Sequence, residues 1–193
     1  MGNKLYVSDL AEHFDLSFIG AAFHNELVVL HAGHIKGRHF NERRAFILSF
    51  TAMVEGTTYN LRQFLLRQHE RGQIVLSLPE QLILSEREYR PDSSGHSNES
   101  DRIHPTQHLL KYTLKAFAKY HNKETELTDF LSKDGFRSCS ETFTKRNSIV
   151  HPKKSEDVLV NDSEWQNADN AFSWFHDLQI ALFEGNIFQE KTQ

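Results

Sequence analysis

The chain contains few of the residues that interrupt helices or cross-link a fold. It has four prolines, nine glycines and one cysteine, Cys139, in 193 residues. A single cysteine cannot form an internal disulfide, so the sequence is typical of a protein that folds in a reducing compartment. Because proline and glycine are the residues that most disfavour helix interiors, their scarcity leaves room for long helices.

Long apolar runs and an excess of positive charge are also missing. No run approaches the roughly 18 residues that a membrane-spanning helix requires. The segment MGNKLYVSDLAEHF lacks the basic start and apolar stretch of a secretory signal peptide, so we expect a cytoplasmic protein with no membrane partner. The formal net charge is −4, so any contact with RNA must come from a local cluster of cations.

The sequence does contain hydrophobic residues, 38% of the chain, that recur with the period of a helix. This pattern predicts an all-α fold, a single bundle of about five main helices forming one domain over residues 1–193. The main helices are predicted at about 9–30, 41–71, 106–121, 135–150 and from about 162 onward. A short helix or connector is expected at 127–131, and residues 73–90 are ambiguous between extended and helical structure.

Three of these helices have a clear apolar stripe that predicts which face meets the core. The second main helix has Phe46, Phe50, Met53, Thr57, Leu61 and Phe64; the fourth has Phe136, Cys139, Phe143 and Val150; the last has Trp165, Ala168, Phe172, Phe175, Leu178 and Leu182. Asn161 and Glu164 resemble a capping pair at the start of the last helix. The segment 91–105, PDSSGHSNESDRIHP, has one large apolar residue and is expected to be a mobile loop.

The segment with the most chemistry is Arg146-Asn147-Ser148-Ile149-Val150-His151-Pro152. An arginine followed by a histidine after four to six residues occurs at Arg62/His69, Arg90/His96, Arg102/His108 and Arg146/His151, so the spacing alone does not select a site. The second pair lies in the predicted loop, the third straddles Pro105, and the first is explained by an ordinary surface pair. The fourth ends an amphipathic helix, where Pro152 disfavours helical backbone at His151.

A helical projection at about 100° per residue places Arg146 along one edge of the apolar stripe. Asn147 and His151 lie along the other edge, about 40° apart, so that Asn147 could hydrogen-bond the imidazole. Two polar side chains that border an apolar strip favour a site at a cleft or an interface.

The string RNSIVHPK resembles the Arg-polar-x3-His motif of the HEPN superfamily of helical-bundle proteins, which includes metal-independent endoribonucleases of toxin–antitoxin, phage-defence and CRISPR-linked systems. The resemblance covers about residues 135–183, where the motif closes a late helix and a polar loop leads to a last amphipathic helix. Before residue 130 only compatible helices are found.

The resemblance implies a homodimer in which the Arg146/His151 pairs of both subunits line one cleft for RNA. His151 would be the general base for a ribose 2′-hydroxyl, Arg146 would hold the scissile phosphate, and Asn147 would orient the pair, with no metal or cofactor. Lys145, Lys153 and Lys154 would supply the positive field for RNA. The resemblance also implies an antitoxin or nucleotidyltransferase as a partner. In some family members the nucleotidyltransferase modifies a tyrosine two residues after the histidine. This chain has Lys153 at that position and so departs from control by this modification.

Three other interpretations stay open. The pair could cap the helix end structurally, and a HEPN-like module could dimerise and bind a nucleotide or a protein without catalysis. The motif could also be accidental in a helical adaptor, with Arg146 and His151 pointing apart into solvent.

Glu55 could assist in the cleft, although a solvated side chain is the simpler expectation. His24, His31, His34 and His39 do not follow a metal-ligand spacing.

Overall fold

The computed structural model describes residues 27–29 and 40–184, and this part of the chain is mainly helical. Its elements are α1 (Phe40–Glu70), α2 (Leu78–Ser85), β1 (Arg87–Pro91), β2 (Ser97–Asp101), α3 (Thr106–His121), α4 (Glu124–Ser132), α5 (Asp134–Val150) and α6 (Asp162–Gln179). A 3-10 turn at Ser155–Val158 precedes α6, and a π-helical segment at Ile180–Glu184 follows it. The predicted helix at 9–30 lies outside the described residues except for 27–29, which are helical.

Helix α1 is the central element and contacts α2, α3, α5 and α6. The predicted stripe is buried along its whole length: Phe46, Phe50, Met53, Thr57, Leu61 and Phe64 are all at most 7% exposed. Gly72 ends the helical path with a φ of +70°, a conformation that costs glycine little. The periodicity of this segment therefore predicted both the helix and its buried face.

Helix α6 begins at the predicted capping pair and packs along α5. The Asn161 side chain accepts a hydrogen bond from the Glu164 backbone at 2.9 Å, and the Glu164 carboxylate accepts one from the Asn161 backbone at 2.9 Å. Arg43 of α1 reaches the same corner, donating to the Val160 carbonyl at 3.1 Å and pairing with Asp162 at 2.7 Å. The start of α6 is thus attached to the central helix.

The segment 91–105 forms part of a β-hairpin, which corrects the prediction of a loop from its composition. It contains β2, which pairs antiparallel with β1 in a register that runs from Arg87 opposite Asp101 to Pro91 opposite Ser97. Hairpin strands are held by backbone hydrogen bonds, which do not require apolar side chains. Ion pairs of Arg87 with Glu99 at 3.6 Å and with Asp101 at 3.1 Å add cross-strand contacts that the apolar pattern could not indicate.

The buried face of α5 also differs from the predicted stripe in the last turn. Cys139 and Phe143 are buried as predicted, but Val150 is 44% exposed and Ile149 is 5% exposed. Two adjacent residues of a helix point about 100° apart, so only one of them faces the neighbouring helices. The apolar character of both residues does not indicate which one that is. As a result, Arg146 lies on the side of the helix that faces the bundle.

Within the described ranges, no helix is both long and apolar enough to cross a lipid bilayer.

Candidate functional site

Arg146 lies in the last turn of α5 and is held by two neighbours. Its Nη2 is 3.5 Å from Oε2 of Glu55 on α1, and its Nη1 donates a hydrogen bond to Oδ1 of Asn147 at 3.1 Å. The side chain is 30% exposed, so the arginine is partly accessible to solvent. The arginine therefore sits at a junction between α5 and α1.

Glu55 connects this junction to a third helix. The hydroxyl of Thr106, the first residue of α3, donates to Oε1 of Glu55 at 3.5 Å. The Glu55 side chain is 37% exposed, as expected of a solvated residue, and its carboxylate also faces Arg146. Nothing in the periodicity of α1 indicates this contact, since it depends on how α1 and α5 cross.

His151 lies just beyond the last turn of α5 and is exposed. Its backbone leaves the helix at φ −124° and ψ 61°, as expected before Pro152, while its N–H still donates to the Asn147 carbonyl at 2.9 Å. Among the described residues its imidazole has no hydrogen-bond or ion-pair partner. Asn147 contacts Arg146 and not the imidazole, so within one chain the two motif residues are linked only through the helix.

The three lysines near the motif have different roles in the structure. The Lys145 ammonium pairs with Glu164 at 2.9 Å, and its side chain is only 10% exposed, so it joins α5 to α6. Lys153 and Lys154 are exposed in the loop after His151. Of the three lysines, Lys153 and Lys154 are therefore the better placed to meet a polyanion.

Asp157 organises the loop that carries these two lysines. Its Oδ2 accepts hydrogen bonds from the backbone N–H groups of Lys153 at 2.8 Å and Lys154 at 3.2 Å. These bonds, the one from Lys153 first, lower the pKa of the Asp157 carboxyl, with a further contribution from the positive charges of Lys154 and Lys145. A shallow cleft of about 390 Å³ lies beside this loop and is lined by Lys145, Ser148, Lys154, Glu156, Asp157, Leu159, Asn161 and Glu164.

Two further residues considered from the sequence are structural. Arg62, expected in a surface pair with His69, is 5% exposed and instead binds Glu86 at 2.6 Å. Cys139 is buried as predicted, and burial raises the pKa of its thiol to about 12. Neither residue is available for chemistry with a solute.

In the described part of the chain, no group of three His, Cys, Asp or Glu side chains could hold a metal ion. His24, His31, His34 and His39 lie outside the described residues.

The chain matches no protein-family model, and comparison with curated proteins and with solved structures finds no similar protein.

Proposed function

We propose that this chain is a HEPN-type endoribonuclease that cleaves RNA without a metal ion, with Arg146 and His151 as catalytic residues. The observation that carries the proposal is the end of α5, where an accessible guanidinium is followed five residues later by an exposed imidazole without a partner among the described residues. An exposed imidazole that has no competing partner can accept a proton from a substrate.

The proposed reaction is an intramolecular transesterification. The His151 imidazole removes the proton of a ribose 2′-hydroxyl, and the oxygen attacks the adjacent phosphorus. The bond from phosphorus to the 5′-oxygen then breaks, and the departing oxygen takes a proton, which leaves a 2′,3′-cyclic phosphate and a 5′-hydroxyl. Arg146 stabilises the negative charge on the non-bridging oxygens, and Asn147 orients the guanidinium that it contacts at 3.1 Å.

A second copy of the chain is the proposed means of completing the site. Arg146 is directed towards Glu55 on α1, whereas His151 lies beyond the helix end and is exposed, so one subunit does not bring them together. Val150 and Leu159 expose apolar side chains close to His151 in the chain, at 44% and 47%. Burial of these side chains against a partner would be favourable, and a homodimer would place the His151 of one subunit near the Arg146 of the other.

The wider setting follows from the resemblance of RNSIVHPK alone. A role as a toxin or phage-defence effector, with an antitoxin or nucleotidyltransferase as partner, is part of this proposal. The RNA contact would use Lys153 and Lys154, which are exposed, and Lys145 would support the site from its pair with Glu164.

The test is cleavage of a fluorophore-quencher single-stranded RNA in the presence of EDTA. We expect His151→Ala and Arg146→Ala each to lower the rate by about 10²–10⁴-fold. Arg137→Ala is the matched control, because Arg137 is a 71% exposed arginine on the same helix that pairs with Asp134. Full activity in both motif variants, or equal loss in the control, would reject the proposal.

Mixing the two inactive variants tests the dimer. If Arg146 of one subunit works with His151 of its partner, a heterodimer of Arg146→Ala and His151→Ala retains one complete pair and recovers part of the activity. No recovery under subunit exchange, verified by light scattering, would contradict a site shared between copies.

A second candidate function is a non-catalytic HEPN-like module that dimerises and binds a nucleotide or a protein. The contact of Arg146 with Glu55 favours it, because an engaged guanidinium is less available for a phosphate, and so does the net charge of −4. Titration with nucleotides, together with the absence of RNA cleavage, would select this candidate. An accidental motif in a helical adaptor would show neither binding nor cleavage.

A further inference from the structure

We infer that Glu55 is an internal competitor for the anion site of Arg146, and that a substrate phosphate must displace its carboxylate. The inference rests on the proposed function for Arg146 as the phosphate-binding residue. It adds a regulatory residue from a different helix, which lies 91 positions before the arginine in the chain.

The geometry of the guanidinium supports this competition. Both terminal nitrogens of Arg146 are engaged, Nη2 by Glu55 at 3.5 Å and Nη1 by Asn147 at 3.1 Å. A guanidinium binds phosphate best through two parallel N–H groups. A phosphate that binds in this way must replace the carboxylate, since two anions on one guanidinium would repel each other.

The strength of the contact suits a displaceable group. The side chains of Arg146 and Glu55 are 30% and 37% exposed, and their nitrogen–oxygen distance of 3.5 Å is longer than that of a well-formed charged hydrogen bond. Ion pairs at this level of exposure contribute little to stability because water and salt screen them. A diester phosphate that also contacts exposed lysines can therefore compete successfully.

Thr106 gives the competitor a defined position when it is bound to the arginine. Its hydroxyl contacts Oε1 of Glu55 at 3.5 Å, while Oε2 faces Arg146. The carboxylate is thus held between the start of α3 and the end of α5. Removing the hydroxyl should weaken this hold without changing any charge.

The experiment measures binding separately from cleavage. A short single-stranded RNA with methylated 2′-hydroxyls keeps every phosphate but lacks the nucleophile, so fluorescence anisotropy reports affinity alone. We expect Glu55→Gln to bind this RNA about two- to fivefold more tightly than the wild type, because the competing charge is gone. Thr106→Val should give a smaller gain in the same direction.

Two controls separate the proposed contact from a general charge effect. Glu141→Gln changes the net charge equally and lies on the same helix as Arg146, but its carboxylate contacts Asn167 at 2.6 Å. Its affinity should stay close to that of the wild type after the small effect of net charge. Adding Arg146→Ala to Glu55→Gln should abolish the gain.

The outcomes are distinct from those of the cleavage test. Unchanged or weaker binding by folded Glu55→Gln would overturn the inference, and weaker binding would indicate that the carboxylate orients the arginine. If Glu55→Gln does not fold, as judged by thermal unfolding, Thr106→Val decides, and unchanged binding by it overturns the inference. A gain that depends on Arg146 in a protein without His151-dependent cleavage would leave the anion site in place and reject only the nuclease.

Discussion

The two ends of α5 have opposite surroundings. At its first turn, Gly135 lies so close to Trp174 of α6 that a Cβ atom at this position would overlap the Cβ and Cγ atoms of the tryptophan. Trp174 is itself fixed, because its indole N–H donates to the Phe130 carbonyl at 3.0 Å. At the other end, Asn147, Val150 and His151 are exposed.

This difference indicates that one end of α5 is structural and the other end is accessible. Close packing at one end fixes the position of α5 against α6, whereas Val150 and His151 at the other end are exposed to a solute or a partner. Sites whose polar groups are supported by a rigid element keep their geometry better than sites on loops. The motif residues therefore gain order from a part of the helix that takes no part in the proposed chemistry.

The largest effect is expected in the last turn of α5, where a buried residue precedes an exposed one. Ile149→Ala should lower the free energy of unfolding by about 2–4 kcal/mol, because Ile149 is 5% exposed and its loss leaves a cavity. Val150→Ala removes a 44% exposed side chain and should change the free energy of unfolding by no more than about 0.5 kcal/mol. Urea unfolding of both variants gives these values, and equal losses would mean that the buried face of the last turn is wrongly placed.

A smaller loss is expected at the packed end. Gly135→Ala should destabilise the protein by about 1–3 kcal/mol, because the added methyl group forces Trp174 to move. The higher helix propensity of alanine works against this loss and does not cancel it. The measurement is the same urea titration.

Gly56 provides the matched control for this prediction. It lies within α1, and a Cβ atom there would meet nothing within 4 Å. Gly56→Ala should therefore stabilise the protein by about 0.5–1 kcal/mol through helix propensity. If both glycine variants shifted stability in the same direction, the close contact at Gly135 would not be a determinant of packing.

Periodicity was sufficient to predict the parts of the fold whose stability comes from burial of an apolar stripe. The predicted helix at 106–121 has the bounds of α3, Thr106–His121, and α1 has its whole predicted stripe in the core. The start of α6 was predictable because the capping pair Asn161 and Glu164 is a local hydrogen-bonding pattern. Each of these signals involves residues that are close to one another in the sequence.

The features that could not be predicted depend on contacts between distant segments. The hairpin is held by backbone hydrogen bonds and by ion pairs such as Arg87 with Asp101. Neither kind of contact can be predicted from a polar composition. The contact of Glu55 with Arg146 requires the crossing of α1 and α5, which no local pattern specifies. The exposure of Val150 depends on which neighbours cover the last turn.

The smallest expected effect concerns the loop that follows the exposed end of α5. The backbone N–H groups of Lys153 and Lys154 donate to the ionised Asp157 carboxylate, which lowers its pKa below the ordinary 3.8. A lowered pKa means that the stabilisation from the ionised carboxylate is complete well above pH 3.8 and disappears as the pH falls through the folded-state pKa.

Amide hydrogen-exchange protection factors of Lys153 and Lys154 should therefore fall in that acidic range in the wild type. In Asp157→Asn they should be low already at neutral pH, without a measurable change in the thermal unfolding midpoint, because the carboxylate is at the surface. Protection that is the same in both proteins at neutral pH would mean that the order of this loop does not depend on the Asp157 carboxylate.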